Sequence, residues 1–241
     1  MFESIDNKKS RLDQKRPLPV HTLKSIREHL IVNWTYHSNA IEGNTLTLSE
    51  TKVALEGITV GGKTIKEHLE AINHRDAILY VEEIVRNQEP LSEWQIKNIH
   101  RLILKGIEEE HAGVYRKENV LISGARPIPP DALQVGPQMQ RFMIWYEGEG
   151  RRLHPIELAA RVHIEFVGIH PFIDGNGRTS RLLLNFELMK HGYPPIVIEK
   201  ENRSEYYAAL DYAHTTGDSA IFIELVAGVL DRTLDFYLKL L

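Results

Sequence analysis

The 241-residue sequence has no cysteine, which excludes a disulfide framework and any thiolate metal site and suits a reducing compartment. It also lacks a long apolar run. The most hydrophobic late stretch, residues 220–230, carries Glu224 and is too short to cross a bilayer, and residues 1–20 hold no apolar signal core. A cytoplasmic protein is therefore expected. Nor is there a surplus of positive charge: 29 Lys and Arg stand against 33 Asp and Glu, a formal net charge of −4. General binding to nucleic-acid backbones draws on such a surplus, so neither nucleic acid nor a membrane is an expected partner. Repeats and low-complexity tracts are missing too. With 42% hydrophobic and 26% charged residues, what remains is an ordinary folded chain with one sizeable core.

Apolar residues recur at three-to-four spacing almost throughout, the mark of amphipathic helices. Leu23, Ile26, Leu30 and Trp34 set one helix over about 22–43, stopped by Gly43 and Asn44. Thr47 with Glu50, and Ser92 with Gln95, have capping-box spacing and mark two further helix starts. Helical spacing returns at Val135, Met139, Phe142 and Tyr146, then over 155–168, 176–191 and two C-terminal segments. Only residues 118–128, ENVLISGARPI, read otherwise: a short apolar run, a Ser-Gly turn and a proline predict a small β-hairpin or extended flap. Residues 1–20 are charged, end near Pro17 and Pro19, and show no helical stripe, so they read as an N-terminal arm. The expectation is an all-α fold in one domain, residues 21–241.

Residues Gly57 to Thr64 match the phosphate-loop pattern G-x-x-x-x-G-K-[ST]. A working loop of that kind follows a buried strand, whereas the preceding TLSETKVALEG reads as a capped helix. Nucleotide hydrolysis through Lys63 is accordingly the lesser alternative. The segment predicts a glycine turn leading into a helix with Ile65, Leu69 and Ile72 on its inner face.

The densest group of reactive side chains is HPFIDGNGRTSR, from His170 to Arg181. Pro171 ends one helix, and Gly175 and Gly177 permit a tight turn with converging backbone amides. The next helix carries Leu182, Leu183, Leu184, Phe186, Leu188 and Met189, apolar on nearly every face, and should be the central buried helix. Its polar head is then more than solvated surface. A helix N-terminus offers unpaired N–H donors and the positive end of the dipole. Arg178 and Arg181 add forked donors suited to phosphate oxygens. Asp174 is a hard oxygen ligand of the kind that holds Mg2+ beside substrate phosphates, and His170 can take a proton near neutral pH. Taken singly, each residue also has a structural use as a cap or ion-pair partner. His163 and His191, among apolar neighbours, read as packed or surface residues.

At these residues the chain resembles the Fic family, whose motif HPFx[D/E]GNGRxxR is filled at every defining position. The resemblance extends to the flap at Ile122, Ser123, Gly124 and Ala125, which it implies are nucleotide-binding, and to the aromatic pair Tyr206 and Tyr207. It also takes in SNAIEG, Ser38 to Gly43, which looks like the inhibitory motif [S/T]xxxE[G/N] of class II members. It covers roughly residues 20–235, with an inhibitory helix at about 22–43 and a core at about 91–241. What it implies is a Fic-type helical bundle with the flap over the site. The implied activity is transfer of AMP from ATP to a Ser, Thr or Tyr hydroxyl of a target protein, with pyrophosphate leaving.

By the same resemblance His170 deprotonates the hydroxyl and Asp174 holds Mg2+ bridging the α and β phosphates. Asn176 with the amides of Gly175 and Gly177 binds the α-phosphate, Arg178 and Arg181 hold the phosphate tail, and Tyr206 and Tyr207 flank the adenine. His214 stands where animal relatives carry a nucleotide-contacting asparagine, and imidazole can donate or accept there. Those relatives' membrane anchor and helical-repeat region have no counterpart in these 241 residues, so neither their compartment nor their target is carried over.

Ser38 and Glu42 share a helix face, and Gly43 lets the chain turn. Glu42 is expected to reach Arg181 and fill the γ-phosphate space, leaving ATP bound unproductively; positioning a water for AMP removal is its alternative role. Gly177 stands where a phosphorylating relative has lysine, which favours adenylyl transfer over transfer of another phosphate-linked group. A homodimer and modification of its own hydroxyls rest on the resemblance alone.

Overall fold

A computed structural model of the chain describes residues 2–122 and 127–241. Among them ten α-helices follow one another: α1 (Glu3–Gln14), α2 (Val20–Ile41), α3 (Leu48–Leu55), α4 (Ile65–Arg86), α5 (Glu93–Leu104), α6 (Val135–Glu147), α7 (Pro155–Ile169), α8 (Asn176–Lys190), α9 (Arg203–Thr216) and α10 (Ala220–Leu240). No β-strand forms among the described residues, in keeping with the all-α expectation. None of their helices is long and apolar enough to cross a membrane.

Helix α8 is the axis. Twelve of its fifteen residues are buried, because α7, α5, α4 and α2 pack around it. One apolar cluster joins α7 and α8 to α1, α2, α9 and α10, and a second joins them to α4, α5 and α6. Polar side chains on the enclosed sides of such a helix have no solvent and must pair within the protein.

Four expectations need correction. Residues 3–14 are not a plain arm: they form α1, which buries Ile5 and Leu12 against the α10 side of the core. A stripe of two apolar residues in a charged segment is too thin for periodicity to reveal. Docking completes it, with Lys8 paired to Asp231 and Asp235 at 2.8 Å each. No strand pairing forms in the described part of the flap. Its flanks are joined instead by side chains, Asn119 Nδ2 donating to Asp131 Oδ2 (3.0 Å) and Asn119 Oδ1 accepting from the Ala132 N–H (2.7 Å). Pro127, Pro129 and Pro130 have no N–H for a ladder. Ser123, Gly124 and Ala125 lie outside the described residues.

Ile65 is 79% exposed; α4 turns Ala71, His74, Ala77, Ile78, Val81 and Ile84 inward instead, because its later turns are the ones that lie against α5 and α8. Ser92 caps α5 by accepting the Gln95 N–H (3.3 Å), but the Gln95 side chain donates to Glu89 (2.5 Å), so the box is half made. The full box at Thr47 and Glu50 is present.

The Gly57–Thr64 segment follows α3 and no strand. Lys63 Nζ donates to Thr45 O (2.6 Å) and Thr45 Oγ1 (3.0 Å) and lies 3.5 Å from Glu50. Thr64 caps α4 in a box with Glu67. The segment is a clasp between helices.

Candidate active site

The turn between α7 and α8 is held from several sides. His170 ends α7 in the left-handed region, φ 50° and ψ 59°, where few non-glycine residues sit. Arg116, 3% exposed, donates from Nε to His170 O (2.8 Å) and from its backbone N–H to Pro171 O (2.9 Å). The Asn176 amide clasps Phe172, Nδ2 donating to its carbonyl (2.8 Å) and Oδ1 accepting its N–H (3.0 Å). The Phe172 ring lies flat on His100, with centroids 3.6 Å apart.

His100 Nδ1 accepts the Gly113 N–H (2.9 Å), which leaves the proton on Nε2 to donate to Asp174 O (2.8 Å). Burial pushes this imidazole down to about 4, keeping it in the neutral form that the two bonds require. Gly175 has φ 77°, and a Cβ there would meet His100 Nε2 at 3.1 Å. Glycine thus serves both the turn and the approach of the ring.

Over this turn open two adjoining clefts of about 300 and 560 Å³. Glu42, Ile122, His170, Gly177, Tyr207 and Asp211 line both. The smaller continues past Val167, Gly168, Leu210 and His214, a mainly apolar wall. The larger runs along Asp174, Gly175 and Asn176 to Arg203 and Ser204, past the first turn of α8 with its unpaired N–H groups. His170 therefore sits where an apolar cleft meets an anion-friendly one. Burial first, and the Arg116 charge second, hold its pKa down at about 4, so at neutral pH it is an uncharged proton acceptor. Burial works against the Asp174 carboxylate, but Arg178 and the Gly175 N–H hold its pKa below the ordinary value.

Glu42 closes the junction. Its Oε1 lies 2.7 Å from Arg181 Nη2, and Arg181 also donates from Nε to Ser38 Oγ (3.0 Å) and from Nη2 to Ser38 O (2.9 Å). Burial disfavours the Arg181 cation, yet Glu42 and Tyr206 raise its pKa on balance. A Cβ on Gly177 would overlap the Glu42 carboxylate, so only glycine leaves room for that approach. Gly43, with φ 100°, reverses the chain directly afterwards.

Tyr206 is 1% exposed; its hydroxyl meets His163 Nε2 (2.9 Å), which also meets Ser180 Oγ (3.0 Å). Tyr207, 37% exposed, is the member of the pair at the rim. His163 is wholly buried, while His191 is partly exposed and bonds Glu187 O (2.8 Å).

Arg178 is placed differently from Arg181. It is 2% exposed and braced between Asp174 Oδ2 (3.1 Å) and Glu70 Oε1 (3.5 Å), because the core encloses its side of α8. Asn176 likewise uses its side chain on Phe172 and offers the cleft its backbone. His214 donates from Nε2 to Ile164 O (2.9 Å) at the wall of the smaller cleft if the proton sits there.

A family model described as Fic/DOC family matches residues 90–188. The crystal structure of a Fic-domain-containing signalling protein from Bacteroides thetaiotaomicron superposes with a TM-score of 0.90 at 31% identity, over 99% of this chain and 97% of that one. The chain belongs to the Fic family. Fic-1 from C. elegans gives a TM-score of 0.87 at 32% identity, over 98% of this chain and 71% of that one. The protein adenylyltransferase Fic of Drosophila melanogaster is 38% identical over 98% of this chain and 48% of its own length. The chain thus spans about half the length of that relative.

Glu70, His100, Arg116, Arg203 and Asp211 also belong to this Fic site and lie outside the motifs. Arg203 alone had a local signal, standing just before the aromatic pair. The others sit in segments whose spacing says only helix or loop.

Proposed function

We propose that the chain transfers AMP from ATP to a hydroxyl side chain of a protein and that Glu42 restrains it. The observation that carries this reading is the carboxylate of Glu42 seated on Arg181 and against Gly177, beside a neutral His170. An anionic side chain occupies ground otherwise shaped for a phosphate tail.

In the reaction the target oxygen forms a bond to the α-phosphorus of ATP while the bond from that phosphorus to the pyrophosphate oxygen breaks. The hydroxyl proton goes to the His170 imidazole, and pyrophosphate leaves. Such transfer depends on positioning and charge stabilisation more than on covalent help from the protein. The N–H groups at the start of α8, Arg203 and, once Glu42 withdraws, Arg181 bind the phosphates, with Arg178 keeping Asp174 in place. The smaller cleft, between Tyr207 and His214, takes the base.

Asp174 suits Mg2+: its carboxylate pKa is held below the ordinary value, and it lines the polar cleft. This is the pattern of an ion held by one carboxylate together with substrate phosphates. When bound, Mg2+ would neutralise phosphate charge.

The flap, through Ile122, Ser123, Gly124 and Ala125, aligns the target segment as an added strand, main-chain bonds setting the register. Cytoplasmic residence, homodimerisation and self-modification belong to the same proposal, tested by fractionation, light scattering and label on the enzyme itself. The central test compares wild type, Glu42→Gly and Glu42→Gly with His170→Ala, each given ATP labelled at the α-phosphate, Mg2+ and a cell extract. Protein labelling should rise in the glycine variant and vanish in the double variant. Equal labelling by wild type and Glu42→Gly would refute the restraint, and no labelling by any of them would refute the transfer.

A further inference from the structure

We infer that Arg116 is a positioning residue that ties Glu118 and Pro130, one before the flap and one after it, and His170 into one frame, so that a target presented there meets the imidazole at a set distance. The inference rests on the AMP-transfer reading and names a part of its machinery outside the sequence motifs.

Four hydrogen bonds carry it. The buried guanidinium donates to three carbonyls: His170 O from Nε (2.8 Å), Glu118 O from Nη1 (3.0 Å) and Pro130 O from Nη2 (2.6 Å). The Arg116 N–H donates to Pro171 O (2.9 Å). Glu118 and Pro130 flank the flap, one before it and one after it. His170 and Pro171 form the turn that presents the imidazole. One side chain thus joins both legs of the flap to the proton acceptor.

Backbone alone supplies the Pro171 tie and not the other three. Pro127, Pro129, Pro130 and Pro171 offer no N–H, and His170 is held at φ 50°, a conformation that persists only when its surroundings impose it. Burying a cation is costly unless its donors are satisfied. Arginine satisfies them with a rigid fork reaching three acceptors, whereas lysine is a point charge that cannot span all three. Arg116 does not line either cleft, so its effect reaches the reaction through the placement of His170 and the flap.

The test uses the full chain with Glu42→Gly as parent, adding Arg116→Lys or Arg116→Gln. ATP affinity is read by calorimetry, and the transfer rate from label placed on the enzyme's own hydroxyls at saturating ATP. A misplacement on the ångström scale costs about 100-fold in rate, so the rate should fall by roughly 30- to 100-fold in both variants while the Kd for ATP changes by less than about twofold. Amide hydrogen exchange supplies a second reading that needs no activity. Residues 118–122, 127–131 and 169–172 should lose protection together in Arg116→Lys.

A folded variant that keeps its rate within about threefold would overturn the inference, as would ATP affinity falling in step with rate, or loss of protection confined to the flap. If Arg116→Gln does not fold, Arg116→Lys decides, since it retains the charge. A parent that transfers no label would count against the AMP-transfer reading, and the exchange measurement would still decide the coupling.

Discussion

Arg178 and Arg181 stand one turn apart on α8 and are almost equally buried, 2% and 3% exposed, yet they are held in opposite ways. Arg178 is braced by Asp174, four residues back, and by Glu70 of α4, whose side chain is 13% exposed. Arg181 is held by Ser38 and by Glu42, which lies just past the end of α2 with a side chain 31% exposed. Moving Glu70 means unpacking α4 from the core. Moving Glu42 means displacing a carboxylate at a helix end that already faces open clefts, and Arg181 would keep both bonds to Ser38. On the proposed reading the same residue type on one helix makes a brace in one place and a seat with a plug in the other. Asp174, 42% exposed, does not set the difference; the difference lies between Glu70 on α4, 13% exposed, and Glu42 at a helix end, 31% exposed.

The comparison breaks first if the brace proves dispensable. Arg178→Ala leaves Glu70 and Asp174 without their cation and should cost about 3–5 kcal/mol in urea unfolding. Glu42→Gly leaves Arg181 its bonds to Ser38 but removes its carboxylate partner, and should cost less, about 1.5–3 kcal/mol. Equal losses would erase the distinction between brace and plug.

Activity should separate them in the other direction. Glu42→Gly should raise AMP transfer about 10- to 100-fold, the range expected for coupling of a few kcal/mol, whereas Glu70→Gln should give no gain. A rise in Glu70→Gln matching that of Glu42→Gly, measured with α-labelled ATP, would make both carboxylates plugs.

His100 sharpens the brace side. His100→Phe keeps the ring on Phe172 but removes the bonds to Gly113 and Asp174, and should cost about 2 kcal/mol in a thermal melt and lower transfer in the Glu42→Gly parent.

Acid should weaken the braced region. Burial is the largest cause lowering the pKa of His74, His100, His163 and His170, with His100 and His170 at about 4. Between about pH 4 and the ordinary imidazole value of about 6.5 the unfolded chain binds more protons than the folded one, so stability rises with pH across that window. Each histidine contributes a slope of at most about 1.4 kcal/mol per pH unit. His170→Ala should flatten the curve by one such contribution, as urea midpoints measured across the window would show.

The smallest effect is expected at Lys63. In the Glu42→Gly parent, Lys63→Ala should change the Kd for ATP by less than about twofold in calorimetry, because that lysine is tied to Thr45 and Glu50 and lines neither cleft. A loss of ATP binding there would restore the phosphate-loop alternative.

Much of the fold was legible. The stripes at Val135 to Tyr146 and the continuous apolarity of Leu182 to Leu188 announced helices, and the second announced the central one, because burial on every side leaves no polar face in the sequence. Helix α1 was not legible: two apolar residues among charges become a helix face only when α10 supplies the other half. The outward turn of Ile65 escaped for a related reason, since periodicity finds a stripe without saying which part of it a neighbour covers.

At the site, the spacing of Ser38 and Glu42 was readable and the reach of Glu42 to Arg181 followed from resemblance. The bracing of Arg178 by Glu70 was not readable, since 108 residues separate them. His100 and Arg116 carried no sign of their work.

The sequence by itself determined a mostly helical chain with a histidine and a carboxylate in one tight turn ahead of a buried helix start, because helix periodicity and glycine turns are local properties of neighbouring residues. Only the tertiary structure decided which arginine lies between Asp174 and Glu70 and which meets Ser38 and Glu42, which histidine faces the clefts and which bridges Gly113 and Asp174, and how the flanks of the flap are fastened. Those outcomes depend on carbonyls and carboxylates that distant segments bring together, and it is burial, a property of the packed whole, that sets the charge each group can carry.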